Sequence, residues 1–134
     1  MPKLPKVELD QLEPGYEFPA TSYELAPADV ATYLRAVEET SPLYQTGLVP
    51  PMAVAAYAMS ALSEGLSLPP GAIHISQELE FLDLVRVGDT ITCRARFSQK
   101  HSRGRLNIMS IELNVFNQKP KKVLAGKTSF ILPE

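Results

Sequence analysis

From Val49 to Leu68 the chain reads VPPMAVAAYAMSALSEGLSL, and four segments that alternate apolar and polar residues follow it to the C-terminus. A helix that is apolar on nearly every side must be enclosed by other elements. The alternating segments supply the enclosure, because period-two patterning gives strands with one apolar face and hence an antiparallel sheet packed on the helix. The expected fold class is α+β, an antiparallel sheet wrapped around a long central helix. The N-terminus of that helix then points into a dry place where backbone donors can hold a substrate.

At 134 residues the chain fits one domain over 1–134, with residues 1–14 as an extended N-terminal arm rich in proline. A formal net charge of -2 leaves no basic stripe, so no nucleic acid partner is expected. One cysteine, Cys93, excludes an intrachain disulfide framework, and its inward strand position reads as a small core hydrophobe. The start, MPKLPKVELDQLEPG, has no apolar segment of a secretory signal, and Ser60, Ser63 and Glu64 interrupt the long apolar run. The expectation is a soluble cytoplasmic protein with no membrane partner.

Short strands are expected around Tyr16–Phe18 and Tyr23–Leu25. Pro27 suits a first helical position, and Val30, Tyr33, Leu34 and Val37 share one helical face, so a helix is predicted to stop near Glu39 before Ser41-Pro42. The central helix is predicted over Pro50–Leu66, with Gly65 near its cap. Pro69-Pro70-Gly71 turns the chain into a strand where Ile73, Ile75, Gln77, Leu79 and Phe81 share one face and His74, Ser76, Glu78 and Glu80 the other. Val87-Gly88-Asp89 reads as a tight turn into the strand of Ile91, Cys93, Ala95 and Phe97. Ser102-Arg103-Gly104 makes a hairpin, Met109, Ile111, Leu113 and Val115 mark the next strand, and the last runs from Val123 to Leu132. These four strands are expected to form a meander. A sheet covered on one face leaves an edge open, so a dimer is expected.

The stretches LPPGAIHISQELEFL, VRVGDTITCRARF, FNQ at Phe116–Gln118 and the final SFILP resemble the MaoC-like (R)-specific enoyl-CoA hydratase and dehydratase family, which has the hot dog fold. The resemblance is close from Leu68 to Pro133 and looser from Pro14 to Met59. It implies hydration of a trans-2-enoyl thioester, or dehydration of an (R)-3-hydroxyacyl thioester, carried by coenzyme A or acyl carrier protein and using no cofactor or metal. It also implies a homodimer, or a heterodimer with a related hot dog chain. In that family an Asp-x-Asn-Pro-Leu-His motif activates water and moves the proton, while a backbone N–H at the start of the central helix polarises the thioester oxygen.

Aligned on Pro42-Leu43, this chain reads Glu39-Thr40-Ser41-Pro42-Leu43-Tyr44. The resemblance therefore assigns Glu39 as catalytic base, Tyr44 as proton donor or orienting group, and Ser41 as a substrate contact. Glutamate is one methylene longer than aspartate, and a tyrosine, with a free pKa of about 10, donates a hydrogen bond but is a poor base at neutral pH. The helix entry has Pro50-Pro51-Met52 in place of His-Gly-Met, and because Pro51 has no N–H the oxyanion donor passes to Met52. His74 and Ser76 complete the expected substrate-binding set. Each residue also has a plainer reading: Glu39 as a solvated helix end, Tyr44 as a half-buried aromatic, His74 as a surface or interface imidazole. Lys100, His101, Arg103 and Arg105 on the hairpin could meet coenzyme A phosphates or form a solvated turn. The competing function is a catalytically silent hot dog subunit that binds acyl chains or stabilises an active relative, and the third is an acyl-CoA thioesterase. No phosphate loop, nucleophile elbow or metal-ligand spacing competes.

Overall fold

The computed structural model describes residues 5–133. The elements in chain order are β1 Val7–Glu8, β2 Thr21–Glu24, α1 Pro27–Ala36, α2 Pro51–Gly65, β3 Leu66–Ser67, β4 Ile73–Phe81, β5 Thr90–Arg103, β6 Leu106–Phe116 and β7 Lys122–Leu132. A five-stranded antiparallel sheet in the order β2-β5-β6-β7-β4 packs one face against α2, which is the hot dog arrangement.

Of the four long strands, β5, β6 and β7 form the expected meander, and β4 departs from it. β4 pairs with β7 rather than with β5, so the chain leaves the sheet after Phe81 and returns on the far side of β6. The physical reason lies in the connection: Val85 is buried and its carbonyl accepts from Val49 N at 2.8 Å, which ties the crossing segment to the entry of α2 instead of letting it close a hairpin.

Ala53, Val54, Ala55, Ala58 and Leu62 of α2 are buried, whereas Met52, Ala56, Ser60, Ser63 and Glu64 are exposed. The helix is thus enclosed on one side only. Its first half packs with Leu25, Val30, Ile91, Val115, Val123 and Leu124, and its second half with Leu9, Phe18, Phe97, Ile111 and Phe130. Leu9, fully buried in a 3₁₀ turn, pins the N-terminal segment, whose β1 runs parallel to β3. Residues 1–4 of the expected arm lie outside the described residues. Of the expected first strands, Thr21–Glu24 forms, while Tyr16–Phe18 contributes a single bridge, Glu17 to Arg96. There Tyr16 and Phe18 aim inward and meet edge-to-face at 5.1 Å.

The faces of β4 differ from the simple alternation. His74 pairs with Phe130 and Ser76 with Ser129, leaving Ile75 as the extra residue of a β-bulge. His74 therefore joins Gln77, Leu79 and Phe81 on the inner face, and Ile73, Ser76, Glu78 and Glu80 face outward. Ile73 is 58% and Ile75 43% exposed, the reverse of the core positions that alternation assigned them. On the outer face, register aligns Glu78, Lys127, Glu112 and Arg96 in one row of alternating charge across four strands, closed by a 3.3 Å Arg96–Glu112 ion pair. Such a row suits a solvated face.

Candidate active site

α1 stops at Ala36, earlier than Glu39, through a left-handed cap. Glu38 has φ 56, Glu38 N donates to Arg35 O at 3.2 Å and Glu39 N to Leu34 O at 2.9 Å. These are the two bonds of a Schellman motif, made here with a glutamate where glycine is usual. The strained residue turns the chain so that Glu39 Oε1 accepts from Ser41 N at 2.9 Å. Ser41 Oγ in turn accepts from Leu43 N at 3.3 Å and caps the 3₁₀ turn Pro42–Thr46, in which Tyr44 is half-buried. Glu39 and Ser41 are thus brought into contact, with Tyr44 one short turn further on.

Gly47, at φ 88, then lets the chain fold back alongside Arg86: Val87 N donates to Gly47 O and Val49 N to Val85 O, both at 2.8 Å. That strap delivers the first turn of α2. Pro51 lacks an N–H and Ala53 N donates to Pro50 O at 2.9 Å, so among the described residues Met52 N–H is the donor of the first turn left without a backbone acceptor. The Met52 side chain is 54% exposed. Below this entry, seven apolar residues, Val49, Pro51, Val54, Phe81, Leu84, Val85 and Val123, and one carboxylate, Asp83, line a cavity of about 20 Å³, room for one water.

The strap is itself fastened by the motifs that resembled the family. Asp89 Oδ2 accepts from Arg86 N at 2.9 Å, and Gln118 bridges, donating to Asp89 Oδ1 at 3.0 Å and accepting from Thr90 N at 3.1 Å. Sequence reading missed this role. The signal was available in the paired Val-Gly-Asp and Phe-Asn-Gln motifs, but nothing in the linear order shows that they meet.

His74 and Ser76 stand elsewhere. Phe81 lies by the α2 entry, and His74 is at the opposite end of β4, about 20 Å away at ~3.3 Å per residue. Ser76 is on the outer face. His74 Nε2 lies 2.7 Å from the hydroxyl of fully buried Thr128 and 3.0 Å from Ser76 O, with its ring 5.0 Å from that of Phe130. Tyr57 and Met59 of α2 pack in the core, Tyr57 at 4.9 Å from Tyr23. Burial, with Glu64 nearby, raises the pKa of Tyr23, and burial raises that of Tyr57. Among the described residues the buried Tyr23 hydroxyl finds no hydrogen-bond partner. Burial pushes the Cys93 thiol up to about 12, so no thiolate is available near neutral pH. Lys100, His101, Arg103 and Arg105 are all exposed on the β5–β6 hairpin. Among the described residues no three His, Cys, Asp or Glu side chains could hold a metal, and no helix is long and apolar enough to cross a membrane.

A family model described as the FAS1-like dehydratase domain region matches residues 13–125. The chain belongs to that family. Solved structures share the fold: an (R)-hydratase from A. caviae involved in PHA biosynthesis is 24% identical with a TM-score of 0.75, covering 92% of this chain and 98% of its own. A MaoC-like dehydratase from Rhodospirillum rubrum is 18% identical with a TM-score of 0.74, covering 94% and 96%. The C-terminally truncated HadBC (3R-hydroxyacyl-ACP dehydratase) complex from Mycobacterium tuberculosis is 16% identical with a TM-score of 0.67, covering 88% and 96%. No curated protein matches the sequence. The resemblance to MaoC-like hydratases and dehydratases is borne out, with the hot dog fold it implies.

Proposed function

We propose that this dehydratase-family chain is a hydro-lyase of acyl thioesters, adding water to a trans-2-enoyl thioester or removing it from an (R)-3-hydroxyacyl thioester. The observation that carries the reading is the uncommitted Met52 N–H at an apolar helix entry, preceded by a carboxylate that a strained turn has positioned. The enolate-like charge developing on the thioester oxygen would be held by Met52 N–H with the positive end of α2 behind it. Glu39 takes the proton from the attacking water, and Ser41 N, hydrogen-bonded to Oε1, orients the carboxylate and leaves the second oxygen to act. Tyr44 donates a hydrogen bond to substrate or water.

The test follows the absorbance of crotonyl-CoA and of longer enoyl-CoAs with the purified protein. The wild type should hydrate at least one of them, and Glu39→Gln, which keeps the hydrogen bond from Ser41 but loses the base, should lower turnover by about a hundredfold or more. Equal turnover by the two proteins would sink the assignment of Glu39. One observation favours the second reading, a silent subunit: Tyr44 stands where the resemblance places an imidazole. Turnover absent alone but restored by a related chain carrying the aspartate-histidine pair would establish that reading instead.

A further inference from the structure

We propose that Gln118 is a positioning residue for the reaction: acting through Asp89, it sets where the Met52 N–H and the Tyr44 turn stand relative to the thioester. This rests on the hydro-lyase reading. The oxyanion donor is a backbone N–H, so its place is fixed by the chain on either side of it and not by a rotamer of its own. Residues 47–50 join the Tyr44 turn to the first turn of α2, and both groups hang on that short segment.

The segment takes its position from the strap. Val49 N donates to Val85 O and Val87 N to Gly47 O, both at 2.8 Å, so the α2 entry moves with residues 83–89. Those residues lie outside the five-stranded sheet, exposed at Asp83, Leu84, Arg86 and Gly88, and one turn, residues 117–121, grips them at both ends. At the first end Lys121 Nζ meets Asp83 Oδ2 at 2.7 Å, an exposed ion pair that salt screens. At the other end Gln118 Nε2 donates to Asp89 Oδ1 at 3.0 Å, and Gln118 Oε1 accepts from Thr90 N at 3.1 Å. Asp89 Oδ2 accepts from Arg86 N at 2.9 Å, so one carboxylate couples the Gln118 amide to the strap backbone between Val85 and Val87.

The residue types suit this task. An amide donates with one end and accepts with the other at a fixed spacing, which matches a carboxylate and an N–H side by side. The amide is aimed by its neighbour: Asn117 Oδ1 accepts from Lys119 N at 2.9 Å and Lys121 N at 2.8 Å, and Asn117 N donates to Lys121 O at 2.8 Å. Asn117 thus builds the turn and Gln118 uses it. On the strap, Gly88 at φ 95 donates its N–H to Leu25 O at 2.8 Å, and this bend brings Asp89 to the amide. Gln118 touches neither substrate nor reacting atoms. Its leverage is geometric, because about 1 Å of misplacement at a reacting centre can cost a hundredfold in rate.

The experiment exchanges the two side chains. Gln118→Glu alone sets carboxylate against carboxylate, and Asp89→Asn alone sets amide against amide. In the double variant the amide at position 89 donates to the carboxylate at position 118, and the bonds from Arg86 N and Thr90 N are kept, so all three are regained. With crotonyl-CoA each single variant should lose about tenfold in kcat with KM changed by less than about twofold, and the double variant should return to within about threefold of wild type. Wild-type kcat in both single variants, or a double variant no faster than they are, overturns the proposal. Gln118→Ala, which opens the clasp without adding charge, replaces a single variant that fails to fold. Hydrogen exchange at the Val49 and Val87 amides should quicken in the single variants and slow again in the double variant, while the Ile111 amide of β6 stays protected. Equal loss at all three amides means that Gln118 supports the fold alone, which also overturns the proposal. A wild type inactive on every enoyl-CoA overturns the hydro-lyase reading and the catalytic part of this one, and the exchange, which needs no turnover, still decides whether Gln118 holds the α2 entry.

Discussion

At the scale of single residues, two positions carry the physical chemistry of this chain most plainly. Glu38 sits at φ 56, where a side chain is strained and glycine is not. Glu38→Gly should therefore stabilise the fold by up to ~1 kcal/mol, offset in part by the entropy of glycine in the unfolded chain, and a urea midpoint that falls would contradict the strain. Cys93 gives a pH signature. Its folded pKa, about 12, is raised above the 9.0 of a free thiol by burial, so the folded state holds a proton that the unfolded state releases. The contribution is fully present below pH 9 and is lost as pH rises from there toward about 12. Thermal melts across that alkaline range should fall more steeply for the wild type than for Cys93→Ala, and parallel curves would mean the thiol is not buried as described. The low reactivity of Cys93 was readable from its strand phase alone. Glu38 was not, since a glutamate in a left-handed cap follows from where the chain must turn, not from its own preference.

Among the elements, β4 shows where periodicity stops being enough. The strand was legible from its alternation, but alternation placed His74 outward and Ile73 inward, and one bulged residue, Ile75, reverses both. A bulge leaves no mark in the pattern of apolar and polar residues, because it changes the count rather than the types. Strand order was hidden for a related reason: β4 and β5 are neighbours in sequence, and only the strap from Val49 to Val85 makes the chain cross over. Gly126 shows how closely β4 sits on β7. A Cβ there would lie 2.9 Å from Glu78 O and 3.2 Å from Leu79 Cδ2; the leucine methyl can give way, but the backbone carbonyl cannot withdraw cheaply. Gly126→Ala should cost about 1–3 kcal/mol by overpacking. Hydrogen exchange should then accelerate first at β4 amides, and uniform loss of protection across the sheet would contradict a local clash.

For the whole molecule, the opening expectation of a fully enclosed helix is replaced by a helix covered on one side, with the remainder of its apolar entry left bare. Met52, Phe81, Leu82 and Leu84 are 43–61% exposed around that entry, and Ile73 and Ile75 lie at the far end of the open edge. The helix and sheet were legible in sequence because both depend on local period; whatever covers their exposed remainder is not written in any local pattern. A second copy on β4 would bury these side chains and the unpaired edge together, gaining from both the hydrophobic area and the hydrogen bonds. Mass action then links stability to concentration, because a folded state held as a dimer is favoured over separate unfolded chains as the protein becomes more concentrated. The melting temperature should rise by several degrees over about a hundredfold increase in concentration. Ile75→Lys, which sets a charge on the bulge beside the edge, should flatten that dependence and shift the mass in light scattering toward one chain. A melting temperature independent of concentration, with a single-chain mass for the wild type, would mean that the apolar entry is covered by something other than a second copy.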